Sequence, residues 1–187
     1  MSSAQAQTGA RRFDPDRRDR IIDACLTVIA TDGVAGTSHR KVAAAADVPL
    51  GSMTYHFSGM EELLAESFTR FADRASDAFE RRMRDAATTD EAREAVAELI
   101  DQDVLRDPRD LVVTHELYTL AAREPRFRTI TQHWMERSRA SLGLHFDPAT
   151  ARILDALIEG LTIHRALDTG VGETIAFDAV TRVSGSR

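Results

Sequence analysis

Apolar positions recur at helical spacing along almost the whole chain, and no stretch alternates apolar and polar residues for long enough to make a strand. Ile21, Ile22, Cys25, Leu26 and Ile29 give one buried face to a first helix over 15–31, which stops at Asp32-Gly33, with Gly36 in the following turn. After a break at Ser58-Gly59, Leu64, Phe68, Phe71, Ala75, Ala78 and Phe79 keep helical register over 60–85. Thr88 with Glu91 makes a capping box for a helix over 89–105. Asp107-Pro108 and Asp147-Pro148 pair an N-cap with a first-turn proline, starting helices over 108–123 and 148–168. Pro125 opens another to 144, and a last one covers 173–183. The pattern predicts an all-α protein.

Between the first helix and the long one lies the most informative stretch, 37–57, which reads T-S-H-R-K-V-A-A-A-A-D-V-P-L-G-S-M-T-Y-H-F. Thr37 and Ser38 can cap a short helix, on which Val42, Ala45 and Ala46 share a face for burial and Arg40 and Lys41 project from the other side. Asp47 tolerates the left-handed backbone a tight reversal needs, and Pro49 presets a second helix over 49–56. On it Val48 and Met53 are the inward anchors, while Leu50, Gly51, Ser52, Thr54, Tyr55 and His56 stay on or near the outer side. Small and hydroxyl residues at that helix start let the backbone approach a phosphate. This is the pattern of a helix-turn-helix, although any one of Thr54, Tyr55 or His56 taken alone also fits the end of a surface helix.

These residues carry a resemblance. From Asp19 to Phe68, with Gly33 ending the first helix, T-S-H-R-K-V-A-A-A-A, G-S-M-T-Y-H-F and E-E-L-L-A-E-S-F, the chain resembles the DNA-binding domain of the TetR family of transcriptional regulators. V-P-L-G-S-M-T-Y-H-F-S-G-M-E-E-L-L, W-M-E-R-S and A-R-I-L-D-A-L-I-E-G-L-T-I-H are similar to its RcdA-like branch. The resemblance implies an N-terminal three-helix DNA-binding domain over 15–59 behind a flexible arm over 1–14. The long helix then leads into an effector-binding and dimerisation bundle over 60–187. Carried over residue by residue, it implies that Arg40, Leu50, Ser52 and Thr54 face base edges and that Thr37, Gly51, Tyr55 and His56 position the backbone. Ser38, Lys41 and Pro49 complete the DNA-facing set. Asp47, Leu50 and Met60 stand where the family more typically has Gly and Lys. Leu50 could read a thymine methyl, and Met60 removes a phosphate contact.

Charge at first sight argues against a nucleic-acid partner, since the whole chain is −6. Divided, residues 1–60 hold 7 Lys and Arg against 6 Asp and Glu, and 61–187 hold 17 against 24, so the acidic excess lies away from the motif. Arg11, Arg12, Arg17, Arg18 and Arg20 form a basic approach to the first helix, interleaved with Asp14, Asp16 and Asp19, so a solvated terminus is an equal reading. At 43% hydrophobic and 6% aromatic, the chain has ample helical core material. The single cysteine, Cys25, reads as a core thiol rather than a redox sensor. No apolar run reaches the roughly 18 residues that span a bilayer and no signal peptide is visible, which predicts a cytoplasmic protein. The six histidines show no ligand spacing, and no nucleophile elbow or phosphate loop appears, so neither a metal, a cofactor nor an enzymatic activity is expected.

In the C-terminal part, Leu111, His115, Tyr118 and Ala122 share one stripe, and Phe127, Ile130, Trp134 and Ser138 another. An apolar cavity with a few polar handles suits a small molecule, which makes His115, Tyr118, Phe127, Ile130 and Trp134 the candidate effector pocket. Each alone also fits a satisfied core or surface residue. The helix over 148–168 is apolar on two stripes, Ile153, Leu157, Gly160 and His164 on one and Leu154, Ile158 and Leu161 on the next. The surplus suggests a two-fold contact through Ile153, Leu157, Gly160, Leu161 and His164 with Phe177 and Val180 of the last helix, unless both stripes are internal to a monomer. The expectation is a homodimeric regulator of double-stranded DNA, a repressor released by an unknown small-molecule effector. Alternatives are an activator or global regulator of the same fold, and a helical protein-interaction module without DNA binding.

Overall fold

The computed structural model describes residues 15–103, 107–167 and 175–185, which contain nine α-helices and no strand. They are α1 (Arg17–Gly36), α2 (His39–Ala45), α3 (Gly51–His56), α4 (Met60–Asp85), α5 (Thr89–Glu98), α6 (Pro108–Arg123), α7 (Pro125–Leu142), α8 (Pro148–Leu167) and α9 (Ile175–Ser184). A π-helical turn, Leu99–Asp103, extends α5. The arm over 1–14 and the ends of three expected helices, 104–105, 168 and 173–174, lie outside the described residues.

Caps set the boundaries where the sequence places them. Ser38 alone caps α2, accepting from the Lys41 N–H at 3.4 Å. Thr37 closes α1 instead, its hydroxyl donating to the Gly33 carbonyl at 2.8 Å. Thr88 accepts from the Glu91 N–H at 3.2 Å, and the Glu91 carboxylate reaches back to the Ala87 N–H at 2.7 Å. Asp107 and Asp147 each accept backbone N–H groups of the turn that follows them. Gly33 breaks α1 near its end with φ 69 and ψ 171, and one further turn runs to Gly36.

Two cores form around the 26 residues of α4. The first joins Ile21, Ile22, Cys25 and Ile29 of α1 to Val42, Met53, Leu63 and Phe68, and it takes in Val113 and Leu117 of α6 and Phe127 of α7. Phe68 and Phe127 meet edge to face at 6.0 Å, a geometry that contributes about 0.5–1.5 kcal/mol beyond burial. The second core holds Phe79 and Met83 of α4 with α5, Leu142, Leu154 and Val180. Because α4 crosses from one core to the other, its inner residues are Leu63, Phe68, Ala72, Phe79 and Met83. Leu64, Phe71 and Ala75 lie only partly inside, and Ala78 is exposed. On α2 the buried face is Val42, Ala43 and Ala46; Ala45, expected inside, faces solvent because the helix begins at His39 and turns that position outward.

Ion pairs lock these elements. Arg70 pairs with Asp19, and Arg74 with Asp23, tying α4 to α1. Arg137 on α7 reaches Asp73, Asp77 and Glu80 on successive turns of α4. Burial pushes the Cys25 thiol up to about 11, which leaves it an unreactive core group.

Candidate nucleic-acid interface and ligand cavity

The reversal between α2 and α3 is made by Asp47 at φ 51, with the Val48 N–H returning to the Ala43 carbonyl at 3.0 Å. Asp is among the few non-glycine residues that adopt this conformation readily. Helix α3 then starts at Gly51, with Pro49 and Leu50 forming its entry turn. Met53 and Phe57 anchor its inner side in the first core. Its outer side is Leu50 at 55% exposure and Tyr55 at 81%, flanked by Gly51 and Thr54.

Leu50 and Tyr55 thus stand in solvent on α3, and Arg40 is likewise exposed on the neighbouring α2. His56 is half-buried with its ring edge-on to Tyr55 at 4.9 Å; burial and then the nearby Arg17 and Arg18 keep its imidazole below the ordinary value, favouring the neutral form. Arg18 lies over the Phe57 ring at 5.0 Å and pairs with Glu66, so it braces the end of α3.

Several expected DNA-facing residues sit differently. Ser52 is only 9% exposed, because the six-residue helix turns it inward beside Met53; it cannot reach a base edge from there. Lys41 is held by Asp32 at 2.7 Å, Thr37 is spent on closing α1, and Ser38 on capping α2. Pro49, Leu50, Gly51, Thr54, Tyr55 and Arg40 remain on the open face.

A second candidate site lies inside the bundle. An inner cavity of about 130 Å³ is walled by α4, α6, α7 and α8, with Tyr118, Trp134, Phe79 and Ile158 among its lining. Trp134 stacks with Tyr118 at 6.3 Å and meets Phe71 edge-on at 5.7 Å. Through Ala75, Phe79, Leu99, Thr114 and Trp134 the cavity continues into an outer cleft of about 600 Å³, whose far wall is Leu26, Thr27 and Ala30 of α1.

Of the pocket residues expected from sequence, Tyr118 and Trp134 line this space. Phe127 does not, since at 1% exposure it fills the first core. Ile130 faces a separate surface cleft with His133. The His115 Nδ1 sits 2.8 Å from the Leu111 carbonyl on its own helix. Sequence reasoning missed Ser76, Asp155 and Glu159, which do line it. Glu159 could have been noticed as the one acid within the apolar run L-I-E-G-L-T-I.

The expected dimer face divides in two. Ile153, Gly160 and His164 are exposed on α8, as is Phe177 on α9, whereas Leu157 and Leu161 pack partly against the second core. Val180 is fully buried in that core and is not available to a partner, because α9 needs an inner face to dock on α5 and α8.

Among the described residues no group of His, Cys, Asp and Glu is placed to hold a metal ion, and no helix is long and apolar enough to cross a membrane.

Residues 21–67 match the family profile of bacterial regulatory proteins, tetR family, and residues 87–185 match the tetracyclin repressor-like C-terminal domain. The chain is similar to SCO7518 from Streptomyces coelicolor A3(2), described as a transcriptional regulator. The two are 53% identical, over 92% of this chain and 100% of that one, with a TM-score of 0.85. It is also similar to SCO1917 of Streptomyces coelicolor A3, a TetR-family member. That chain is 34% identical over 92% of this chain and all of its own, with a TM-score of 0.75. The multidrug binding protein EbrR, solved with imidazole, is 35% identical over 93% of this chain and 98% of its own, with a TM-score of 0.73. Further EbrR structures hold ethidium, proflavin and malachite green. No curated protein sequence matches. These relatives lend no support to the RcdA-like branch.

Proposed function

The chain belongs to the TetR family and is a DNA-binding transcriptional regulator; on that premise we propose that it is a cytoplasmic, ligand-responsive repressor acting as a homodimer on a pseudo-palindromic operator. Its reading unit is residues 15–59, and residues 60–187 bind the effector and form the dimer. TetR-family regulators bind DNA and small-molecule ligands and are dimeric. The observation that carries the reading is the open face of α3, where Leu50, Gly51, Thr54 and Tyr55 lie exposed, with Arg40 exposed on the neighbouring α2. A helix presented in this way enters a major groove, and two-fold symmetry sets two such helices about one turn of DNA apart. Leu50 supplies an apolar contact suited to a thymine methyl, and Arg40 a base or phosphate contact.

Release follows a population shift. Arg109 on α6 donates to the Thr27 hydroxyl of α1 at 2.8 Å, and the outer cleft is walled by both helices. A ligand that fits better when α6 and α1 separate favours a dimer whose reading helices are wrongly spaced. The EbrR complexes hold aromatic guests, and we extend that breadth to this chain: its effector is an aromatic small molecule. A gel shift with DNA from the chain's own promoter region, repeated at rising salt, tests the DNA-binding part. Specific binding with a steep salt dependence is expected from phosphate contacts, and salt-insensitive or absent binding overturns it.

A further inference from the structure

The inner cavity has a one-sided charge. Two acids, Asp155 and Glu159, are among its lining residues, and no Lys, Arg or His is. Asp155 is bridged by Arg139 of α7 at 3.2 Å. Among the described residues Glu159 enters no salt bridge; the nearby Tyr118 hydroxyl and His115 favour its charged form, and Asp155 opposes it. Burial raises its carboxyl above the ordinary range, as expected of an acid taken from water without a counter-ion.

A second, independent feature points into the same space. Ser76 lines the cavity at 4% exposure, and its Oγ has no hydrogen-bond partner. A buried hydroxyl left unpaired is a standing cost that a ligand donor or acceptor relieves. The walls between these polar groups are the Trp134 and Tyr118 rings, whose faces attract positive charge.

We infer that the cavity is built for an aromatic cation, lying against the Trp134 and Tyr118 rings, with Glu159 as its counter-ion and the Ser76 hydroxyl as its second polar contact. This rests on reading the cavity as the effector site and adds the charge of the effector. An anion meets two carboxylates there. A neutral ring leaves Glu159 uncompensated, so it binds through its area alone. The inner cavity takes the charged end, and the outer cleft, with Leu26, Thr27 and Ala30 of α1 as its far wall, takes the rest of the molecule.

The test uses the full chain and two probes of one shape, 9-aminoacridine, a cation at neutral pH, and acridone, which is neutral. Trp134 is the single tryptophan and lies on the cavity wall, so its fluorescence reports binding directly. The wild-type protein is expected to bind the cation at least tenfold more tightly than the neutral ring. Glu159→Gln should lower cation affinity by about tenfold or more and leave acridone within about twofold, because a hydrogen bond to a charged group is worth that factor. Ser76→Ala should reduce cation affinity less. Equal affinities for both probes in the wild-type protein, or a Glu159→Gln variant with its preference intact, would overturn the counter-ion while leaving the effector site standing. Quenching by neither probe would overturn both.

Discussion

Gly33 in the break of α1 faces Glu116 of α6 so closely that a β-carbon on it would lie 2.7 Å from the Glu116 Oε1. Two costs of adding a side chain there can be separated. The carboxylate is the far end of a flexible chain and can swing away, but φ 69 with ψ 171 is a conformation that residues other than glycine rarely hold. Gly33→Ala should therefore destabilise the protein by roughly 1–3 kcal/mol in urea unfolding, and adding Glu116→Ala should restore little of it. Substantial rescue by the second change would show that contact with α6, rather than backbone strain, sets the requirement.

Leu50 is the clearest departure from a phosphate-binding residue at the start of α3. Leu50→Lys should steepen the dependence of operator affinity on salt by about one unit of log–log slope, since one more phosphate charge is neutralised. It should also relax preference at the base pair Leu50 reads. Titrations at several salt concentrations, on operators varied at that position, measure both.

Much of this architecture was legible in the chain because its punctuation is chemical. Asp107-Pro108 and Asp147-Pro148 start helices where an N-cap and a proline must, and Asp47 occupies the left-handed position it was expected to tolerate. Side-chain direction was less legible. Ser52 and Ala45 sit on helices of six and seven residues, where a shift of one position in the start rotates a residue by about 100° and exchanges inside for outside. Stripe spacing groups Phe127 with the pocket residues because it shows that a stripe is buried but not against what; the first core, drawing on α6 and α7, holds it instead. Glu159 and Ser76 come to line one cavity only because α7 packs against both α4 and α8, an arrangement that periodicity within one helix cannot reveal.

Ile153 is 54% exposed and Phe177 46%, while nothing lies within 4 Å of a β-carbon placed on Gly160, an open apolar strip along α8 and α9. Covering a large apolar side chain contributes about 1.5–3 kcal/mol, and two-fold symmetry counts each one twice. Ile153→Asp should raise the dimer dissociation constant at least about a hundredfold in sedimentation equilibrium, with the helical circular dichroism signal preserved because the site faces solvent in a single chain.

Acid should loosen the start of α4. The Glu62 carboxylate accepts from both the Ser58 N–H, at 2.6 Å, and the Ser58 hydroxyl, and these hydrogen bonds hold it below the ordinary carboxylate range. With the folded value lowered, its contribution is present above the unfolded value of about 4.5 and is lost as pH falls through the folded value. Glu62→Gln should remove that part of the acid limb, so the stabilities of variant and wild type converge at low pH. A gap that persists unchanged there would contradict the assignment.

The central claim is that the open face of α3 and Arg40 read DNA, and footprinting on the operator with wild-type, Arg40→Ala and Tyr55→Ala proteins tests it most directly. The wild-type dimer is expected to protect two half-sites about one helical turn apart. Each variant should keep its melting temperature, since both side chains are exposed, and lose roughly tenfold or more in affinity. Protection by both variants at wild-type concentrations, with folding intact, would contradict the claim.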